Sequence, residues 1–172
     1  MTFSQITKYL IIWQIAILFI TLISPYFWPL REQYLGVGTQ TYLENPLLYS
    51  RANFDGNHYL SISQNNYGYA QQAFFPFYPT LIKKVSFFIA TPARAATAIS
   101  LVSFAFALKV LYLLLKIDFS HEIARKTLII LLMFPTSFFF SFVYTEGLFF
   151  LLLIISFYFG RKKNFWLAGI FG

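Results

Sequence analysis

The segment RKTLIILLMFPTSFFFSFVYTEGLFFLLLIISFYFGRKK, residues 125–163, decides the fold. Between its flanking basic clusters lie 34 residues, which as one straight helix would extend ~50 Å, well beyond the ~30 Å of hydrocarbon in a bilayer. A single crossing would put basic clusters on both membrane faces, whereas a hairpin puts both in the cytoplasm. The sequence therefore predicts two spans, 125–143 and 146–160, with a turn near Tyr144–Gly147 and a kink at Pro135.

The composition excludes water as the main solvent of this chain. Hydrophobic residues make up 58% of 172 positions and charged residues only 11%, whereas soluble domains are about a quarter charged. The mean hydropathy is +0.63. The net charge of +7 is spread over the ends of apolar runs, so we expect membrane lipid as a partner and no nucleic acid. Since cysteine is absent, the sequence offers no disulfide and no thiolate metal site.

Other apolar runs predict further spans. The runs 9–27 and 95–115 each approach the ~20 residues that cross the hydrocarbon core. A fifth span starts at 164–172, so we expect residues 1–172 to be the N-terminal part of a longer protein whose C-terminal remainder is missing. The first run is too long for a signal peptide, and aromatic residues and prolines follow it, so we interpret it as an uncleaved span. The predicted fold class is an all-α polytopic membrane protein.

Basic residues at the ends of the runs predict the orientation. The positive-inside rule assigns Lys8, residues 116–126 and residues 161–163 to the cytoplasm. The long loop 28–94 then lies on the outer face. We therefore expect an integral protein of the plasma membrane with a cytoplasmic N-terminus.

Two amphipathic helices are predicted in the loop 28–94, at about 53–64 and 76–90. If the second of these were a span, Lys83 and Lys84 would sit at its centre at a cost of roughly 2.5 to 3.5 kcal/mol each. A helix lying at the membrane surface costs less, because its apolar stripe faces lipid and both lysines face water.

The segment RANFDGNHYLSI, residues 51–62, carries an acid and an imidazole three residues apart, which is one face of a helix. Asp55 is the only aspartate outside the predicted cytoplasmic segments. Either Asp55 or Asn53 can instead be the N-cap of the predicted helix, since both residue types favour that position. His58 can be a hydrogen-bonded interfacial histidine rather than a functional one. Neither group has further ligands at metal spacing, so no metal is expected.

Two aromatic segments complete the set of candidates. FFPFYP, residues 74–79, fixes the start of the second loop helix, and its rings, Tyr78 among them, either anchor at headgroup depth or wall a site entered from the membrane. PTSFFFSFVYTEG, residues 135–147, ends near Glu146, an acid that is costly in lipid and hence a functional candidate. Alternatively, Glu146 is a helix-start acid favoured by the helix dipole. Tyr144 is either an aromatic belt residue or a hydrogen-bond donor to a substrate.

Taken in order, these three segments resemble the bacterial members of the GPI mannosyltransferase II (PIG-V-like) family, which belongs to the GT-C class of glycosyltransferases. That family carries an Arg-x-Trp-Asp-Gly type motif, then Tyr-Leu-x-Ile and a Gly-Tyr turn. A Phe-Phe-Pro-x-Tyr-Pro helix start and a Pro-x-Ser-x-Phe run closing on Tyr-x-Glu follow. The match covers residues 51–149, with Phe54 where the family usually has tryptophan. Family members have more spans than this chain, so the resemblance implies a GT-C-like N-terminal fragment.

The resemblance implies transfer of mannose, or a similar hexose, from a polyprenyl-phosphate sugar to an acceptor hydroxyl at the outer face of a bacterial plasma membrane. A carboxylate beside the acceptor is a competent general base worth ~10²–10⁴-fold, and we assign this role to Asp55. The leaving lipid phosphate needs cationic or hydrogen-bond partners. Because the donor carries its own leaving group, no cofactor is expected. The candidate substrate-binding residues are Arg51, His58, Tyr78, Lys83, Lys84, Tyr144 and Glu146.

Two other classes of function stay open. In a transporter or channel fragment, Glu146, Lys109 and Pro135 would line a polar path through the helices, although the long loop would then have no role. In a non-catalytic lipid-binding membrane module, the loop would only hold lipid.

Overall fold

The computed structural model describes residues 1–31 and 38–172, and within these ranges the chain forms helices and no strands. Residues 32–37 of the predicted loop 28–94 lie outside the described residues. The elements in chain order are α1 (Phe3–Phe27), α2 (Thr39–Glu44), α3 (Pro46–Tyr49), α4 (Asp55–Asn65), α5 (Phe77–Ser86), α6 (Pro92–Leu115), α7 (His121–Met133), a 3-10 helix (Ser137–Ser141), α8 (Glu146–Arg161) and α9 (Phe165–Phe171).

Among the described residues, α1 and α6 are the two helices long and apolar enough to cross a membrane by length and composition. They contain the predicted runs 9–27 and 95–115. Helix α1 starts six residues before its predicted run because Thr2 and Gln5 form a reciprocal capping box. Helix α6 starts earlier as well, because Thr91 caps it and Pro92 occupies its first position.

The predicted continuous helix 125–143 is wrong in its second half. Helix α7 has 13 residues and ends at Met133, which gives a length of ~20 Å. Phe134 is extended, as expected of a residue before proline, and Pro135 then ends the helix instead of kinking it. The chain continues as the 3-10 helix. Helix α8 begins at Glu146, as the sequence predicted.

Helix α6 is the centre of the fold, since both hydrophobic clusters are built on it. Its N-terminal half packs with α4, α5 and Val143, and we call this half of the molecule the loop end. Its C-terminal half packs with α1 and α7, and we call that half the basic end, because Lys116 and Arg125 lie there. The loop between α1 and α6 is therefore folded onto the helices and is not a separate unit.

Close backbone packing joins α6 to α8. A Cβ atom at Gly147 would collide with the carbonyl oxygen of Phe140 and would lie 2.8 Å from that of Ser100. Only glycine fits this position, and small residues are the usual means by which helices approach each other in membranes.

The two predicted loop helices are confirmed as helices. Helix α4 covers Asp55–Asn65 against a prediction of 53–64, and α5 is shorter than the predicted 76–90. Lys83 and Lys84 are exposed, as predicted. Beside the predicted apolar stripe, α5 buries Ile82 and Tyr78 against the loop-end core. The short helices α2 and α3 were not predicted.

Hydrogen bonds stabilise the basic end. The guanidinium of Arg161 donates two hydrogen bonds of 2.7 Å to the carboxylate of Asp118, which links α8 to the turn after α6. Lys109 donates to the carbonyl oxygen of Met1 at 3.0 Å. Helix α9 folds back on α8, where the hydroxyl of Ser156 donates to the carbonyl oxygen of Ala168.

Candidate functional site

Asp55 follows a strained backbone position at the start of α4. Phe54 has φ 49° and ψ −120°, which is a conformation that aromatic residues rarely adopt. Such a position costs of order 1–3 kcal/mol and persists only where surrounding contacts enforce it. Neither Asn53 nor Asp55 is the N-cap, because Phe54 occupies that position and no side chain caps the helix. Both N-cap interpretations are therefore wrong, and Asp55 is the first residue of the helix.

Contacts from the segment before α8 hold this strained turn. The amide of Val143 donates to the carbonyl oxygen of Arg51 at 2.9 Å. The hydroxyl of Tyr144 donates to the carbonyl oxygen of Asn53 at 2.8 Å. A Cβ atom at Gly56 would lie 3.0 Å from the carbonyl oxygen of Val143, so the two backbones are in close contact. Distant parts of the chain thus hold the backbone turn from which Asp55 projects.

The carboxylates of Asp55 and Glu146 lie near enough for their charges to interact. Asp55 is exposed, and Glu146 is half-buried as the first residue of α8. One carboxylate oxygen of Glu146, Oε2, is buried without a hydrogen-bond partner among the described residues. Unsatisfied buried acceptors are rare in folded proteins, and they mark places where a ligand or water can bind.

Two tyrosines next to these carboxylates are held in their neutral form. Burial, followed by the charges of Asp55 and Glu146, raises the pKa of Tyr144 to about 12. Burial is also the main reason that the pKa of Tyr59 is raised, and the same two carboxylates add to the rise. Both phenols therefore remain hydrogen-bond donors at neutral pH.

Tyr78 lies inside the core, since its side chain is only 1% exposed. Its hydroxyl lies 2.7 Å from Oγ of Ser100, which in turn donates to the carbonyl oxygen of Tyr144. Burial raises the pKa of Tyr78, so it stays a donor in this chain of hydrogen bonds. The structure assigns Tyr78 to holding the Tyr144 backbone and gives it no open face toward a substrate.

His58 is fixed on the exposed side of α4. Its ring stacks on Phe74 with ring centroids 5.0 Å apart. The Oε1 atom of Gln71 accepts from the amide of Gly68 at 2.8 Å, so its Nε2 atom faces Nδ1 of His58 at 3.3 Å and donates to it. This hydrogen-bond network assigns the proton of the neutral imidazole to Nε2, which makes His58 a donor.

Arg51 is buried with 7% exposure, and its guanidinium lies 5.4 Å from the ring centroid of Phe142. Burial lowers its pKa. Within residues 1–31 and 38–172 no carboxylate lies within ion-pair distance of it. A buried guanidinium with no carboxylate partner is well suited to bind an anion such as a phosphate.

The remaining candidates, Lys83 and Lys84, lie in the last turn of α5. They are exposed, and ~8 Å of helix separates them from Tyr78. The charges of Asp55 and Glu146 both act on Tyr144, whereas Lys83 and Lys84 lie at the end of α5 that is remote from Tyr78.

Sequence reasoning missed three contributors to the site. In the sequence nothing distinguishes Tyr59 from the other aromatic residues, and Ser50 lies just before the segment 51–62. Asn53 was considered only as a cap, yet its Oδ1 atom and the hydroxyl of Ser50 are buried without hydrogen-bond partners among the described residues. No linear pattern signals these two atoms, since their isolation depends on the packing of α1 and α7 nearby.

Fold and site together define an all-helical protein with two helices that are able to cross a membrane and a two-carboxylate cluster at the loop end. Comparison of the chain with family models, curated proteins and solved structures gives no match. Among the described residues, no group of three or more His, Cys, Asp or Glu side chains is arranged to hold a metal ion.

Proposed function

We propose that this chain is part of a membrane-bound glycosyltransferase of the GT-C type, which transfers mannose or a similar hexose from a polyprenyl-phosphate sugar to an acceptor hydroxyl. Asp55 is the general base. The observation that carries the proposal is the exposed carboxylate of Asp55, which follows a strained turn and lies beside the half-buried carboxylate of Glu146. The resemblance of the ordered motifs over residues 51–149 supports the reaction class.

The proton transfer fits the surroundings of Asp55. When the bond between the sugar and the lipid phosphate breaks, the acceptor oxygen forms the new bond and its proton passes to the base. Asp55 is exposed and therefore open to an acceptor, and no cation forms an ion pair with its carboxylate among the described residues. A base in this situation contributes ~10²–10⁴-fold to the rate. Glu146, whose Oε2 atom is buried without a hydrogen-bond partner among the described residues, adds negative charge near Asp55.

Two groups suit the departing phosphate. The guanidinium of Arg51 lies in a largely apolar setting next to Phe142, where an anion gains more than it would in water. His58 contributes a donor at Nε2. Lys83 and Lys84 act at longer range by attracting anionic lipid to the surface that carries α5.

Orientation and remaining spans belong to the same proposal. The N-terminus and the basic end face the cytoplasm of a bacterial cell, and the loop end faces outward from the plasma membrane. Helix α7 with the 3-10 helix makes the third crossing, α8 the fourth, and α9 starts the fifth.

A transporter or channel remains a weaker proposal. Its path would need Lys109, which donates instead to the carbonyl oxygen of Met1 at the basic end. A non-catalytic lipid-binding module is the second candidate function, and the cavity described below favours it. It predicts lipid binding without any dependence of transfer on Asp55.

The deciding experiment replaces Asp55 with Asn in the protein expressed from its complete gene. Transfer from a radiolabelled polyprenyl-phosphate hexose is measured in isolated membranes, with Glu44→Gln as the control, since Glu44 is another exposed acid of the same loop. We expect Asp55→Asn to lose at least ~100-fold and Glu44→Gln to retain activity within about twofold. Full transfer by Asp55→Asn would eliminate Asp55 as the base.

A further inference from the structure

A cavity of about 740 Å³ lies between α1 on one side and α7 with the 3-10 helix on the other. Its volume falls within the range of ligand pockets. Its apolar walls include Ile17 and Ile20 of α1 and Leu132 and Phe138 opposite them. We call this cavity the α1–α7 groove.

Helix α1 packs most tightly on the bundle near its N-terminus, and it also contacts α3. Ile6 and Leu10 are its buried residues, and Trp13 still contacts Phe104 of α6. Beyond that point, Ile20 faces the groove and is still exposed. The second half of α1 is therefore separated from α7 by the groove.

The polar groups along the groove differ between its two ends. Deep in the groove, Nε1 of Trp13 donates to Oγ of Ser137, and that hydroxyl donates to the carbonyl oxygen of Leu132. At the loop end, the groove is lined by Ser50 and Asn53, whose Oγ and Oδ1 atoms are buried and lack partners among the described residues. The side chains of Trp13 and Ser137 at the deep end therefore have hydrogen-bond partners, whereas the buried oxygens of Ser50 and Asn53 at the loop end need a polar group of a ligand as their partner.

A positive charge adjoins the same end. The ring of Phe142 lines the groove, and the guanidinium of Arg51 lies over that ring. No carboxylate in the described part of the chain neutralises Arg51. The complementary occupant has a long apolar body for the walls and an anionic, hydrogen-bonding head for the loop end.

We propose that the α1–α7 groove binds the isoprenoid chain of a lipid phosphate and that Arg51, Ser50 and Asn53 receive its head. The choice of an isoprenoid phosphate rests on the proposed function, because Asn53 is two residues from Asp55 and the head then lies beside the proposed base. The site therefore holds the donor by its tail and presents its phosphate-linked sugar to Asp55.

Photolabelling tests the groove directly. The complete protein is reconstituted in vesicles with an isoprenyl phosphate that bears a diazirine on its chain; because this probe carries no sugar, no transfer occurs during labelling. Mass spectrometry of the peptides is expected to find the label on the second half of α1 and on residues 132–138. Labelling confined to other segments overturns the proposal.

Two matched substitutions on α1 localise the label. Ala16 lines the groove, and the neighbouring Ile15 does not. Ala16→Trp fills the space and is expected to lower labelling at least fivefold, whereas Ile15→Trp leaves it unchanged. Equal labelling of both variants, in protein that remains monodisperse, contradicts the proposal.

A comparison of a charged and a neutral probe tests the head site even if a groove variant fails to fold. Arg51→Gln is expected to weaken labelling by the isoprenyl phosphate about fivefold and to leave labelling by the matching neutral isoprenol unchanged. If Arg51→Gln does not fold, Arg51→Lys is compared in the same way. Equal losses for both probes would remove Arg51 from the head site.

Competition identifies the lipid source. Unlabelled isoprenyl phosphate is expected to abolish the labelling, while phosphatidylglycerol at the same concentration is not. Equal competition by phosphatidylglycerol overturns the proposal in favour of a general phospholipid site. The two proposals fail separately: labelling in the groove with full transfer by Asp55→Asn refutes only the base, and labelling elsewhere with loss of transfer refutes only the groove.

Discussion

The hydroxyl of Tyr144 donates a 2.8 Å hydrogen bond to the carbonyl oxygen of Asn53, 91 residues earlier in the chain. This bond joins the turn that presents Asp55 to the segment that leads into Glu146. It is one of two bonds that tie these backbones, the other running from the amide of Val143 to Arg51. The relative position of the two carboxylates therefore depends on a phenol that need not touch any substrate.

Tyr144→Phe is expected to lower stability by about 1 kcal/mol, the usual net value of one hydrogen bond. Because the Phe54 turn loses a restraint, transfer should fall about tenfold, mainly through kcat, since the variant keeps the apolar ring. Thermal unfolding in detergent and steady-state transfer measure the two effects. Tyr69→Phe is the control, because Tyr69 is fully exposed. Equal behaviour of both variants would mean that the bond does not position the site.

The same phenol predicts a dependence on alkaline pH. Its folded pKa is raised to about 12 from an ordinary value of about 10. A group with a raised folded pKa contributes stability that is complete below its unfolded pKa and is lost as pH rises through its folded pKa. The stability difference between the parent chain and Tyr144→Phe should therefore shrink between about pH 10 and about pH 12. A difference that stays constant across this window would contradict the assignment.

Glycine positions within α8 give a matched pair. Gly147→Ala is expected to destabilise the protein by about 1–3 kcal/mol, because the added methyl group meets the carbonyl oxygens of Phe140 and Ser100. Gly160→Ala meets no atom within 4 Å and should be neutral or stabilising by up to ~1 kcal/mol through helix propensity. Thermal unfolding midpoints distinguish them, and a Gly147→Ala variant as stable as Gly160→Ala would exclude the close approach of α6 and α8.

Single cysteines test the orientation cleanly, because the natural chain has none. Gln64 on α4 and Glu122 on α7 are both exposed. In intact cells, a membrane-impermeant maleimide should label Gln64→Cys from outside, and it should label Glu122→Cys only after the cells are opened. The reverse pattern would invert the proposed topology.

The long apolar runs and the loop helix α4 were predictable because their signals are local. Helix α6 follows from length and hydropathy, and α4 follows from its polar and apolar spacing. The end of α7 was not predicted. The sequence predicts a kink at Pro135, with the freed backbone groups bonded to neighbouring helices. In the structure Phe134 is extended and a 3-10 helix follows Pro135, so α7 ends there.

The candidate site was predictable in its residues and not in its geometry. The ordered motifs indicated Asp55, Tyr144 and Glu146, and the structure brings them together. Tyr78 is enclosed, and Asn53 carries an oxygen without a partner among the described residues. Both features depend on contacts between segments far apart in sequence. Residue type and spacing carry no information about such contacts.

The exposure of groove-lining residues on α1 has a consequence for how a lipid enters the groove. Ile12 and Ile20 line the groove and are exposed, so the groove is accessible from the side, in the plane of the leaflet. An isoprenoid phosphate that enters the groove from this side does so by lateral diffusion, and its tail stays in the lipid throughout. Loading then depends on how many such molecules the leaflet holds and on how fluid it is, so growth temperature and lipid saturation should govern the rate at which the groove fills.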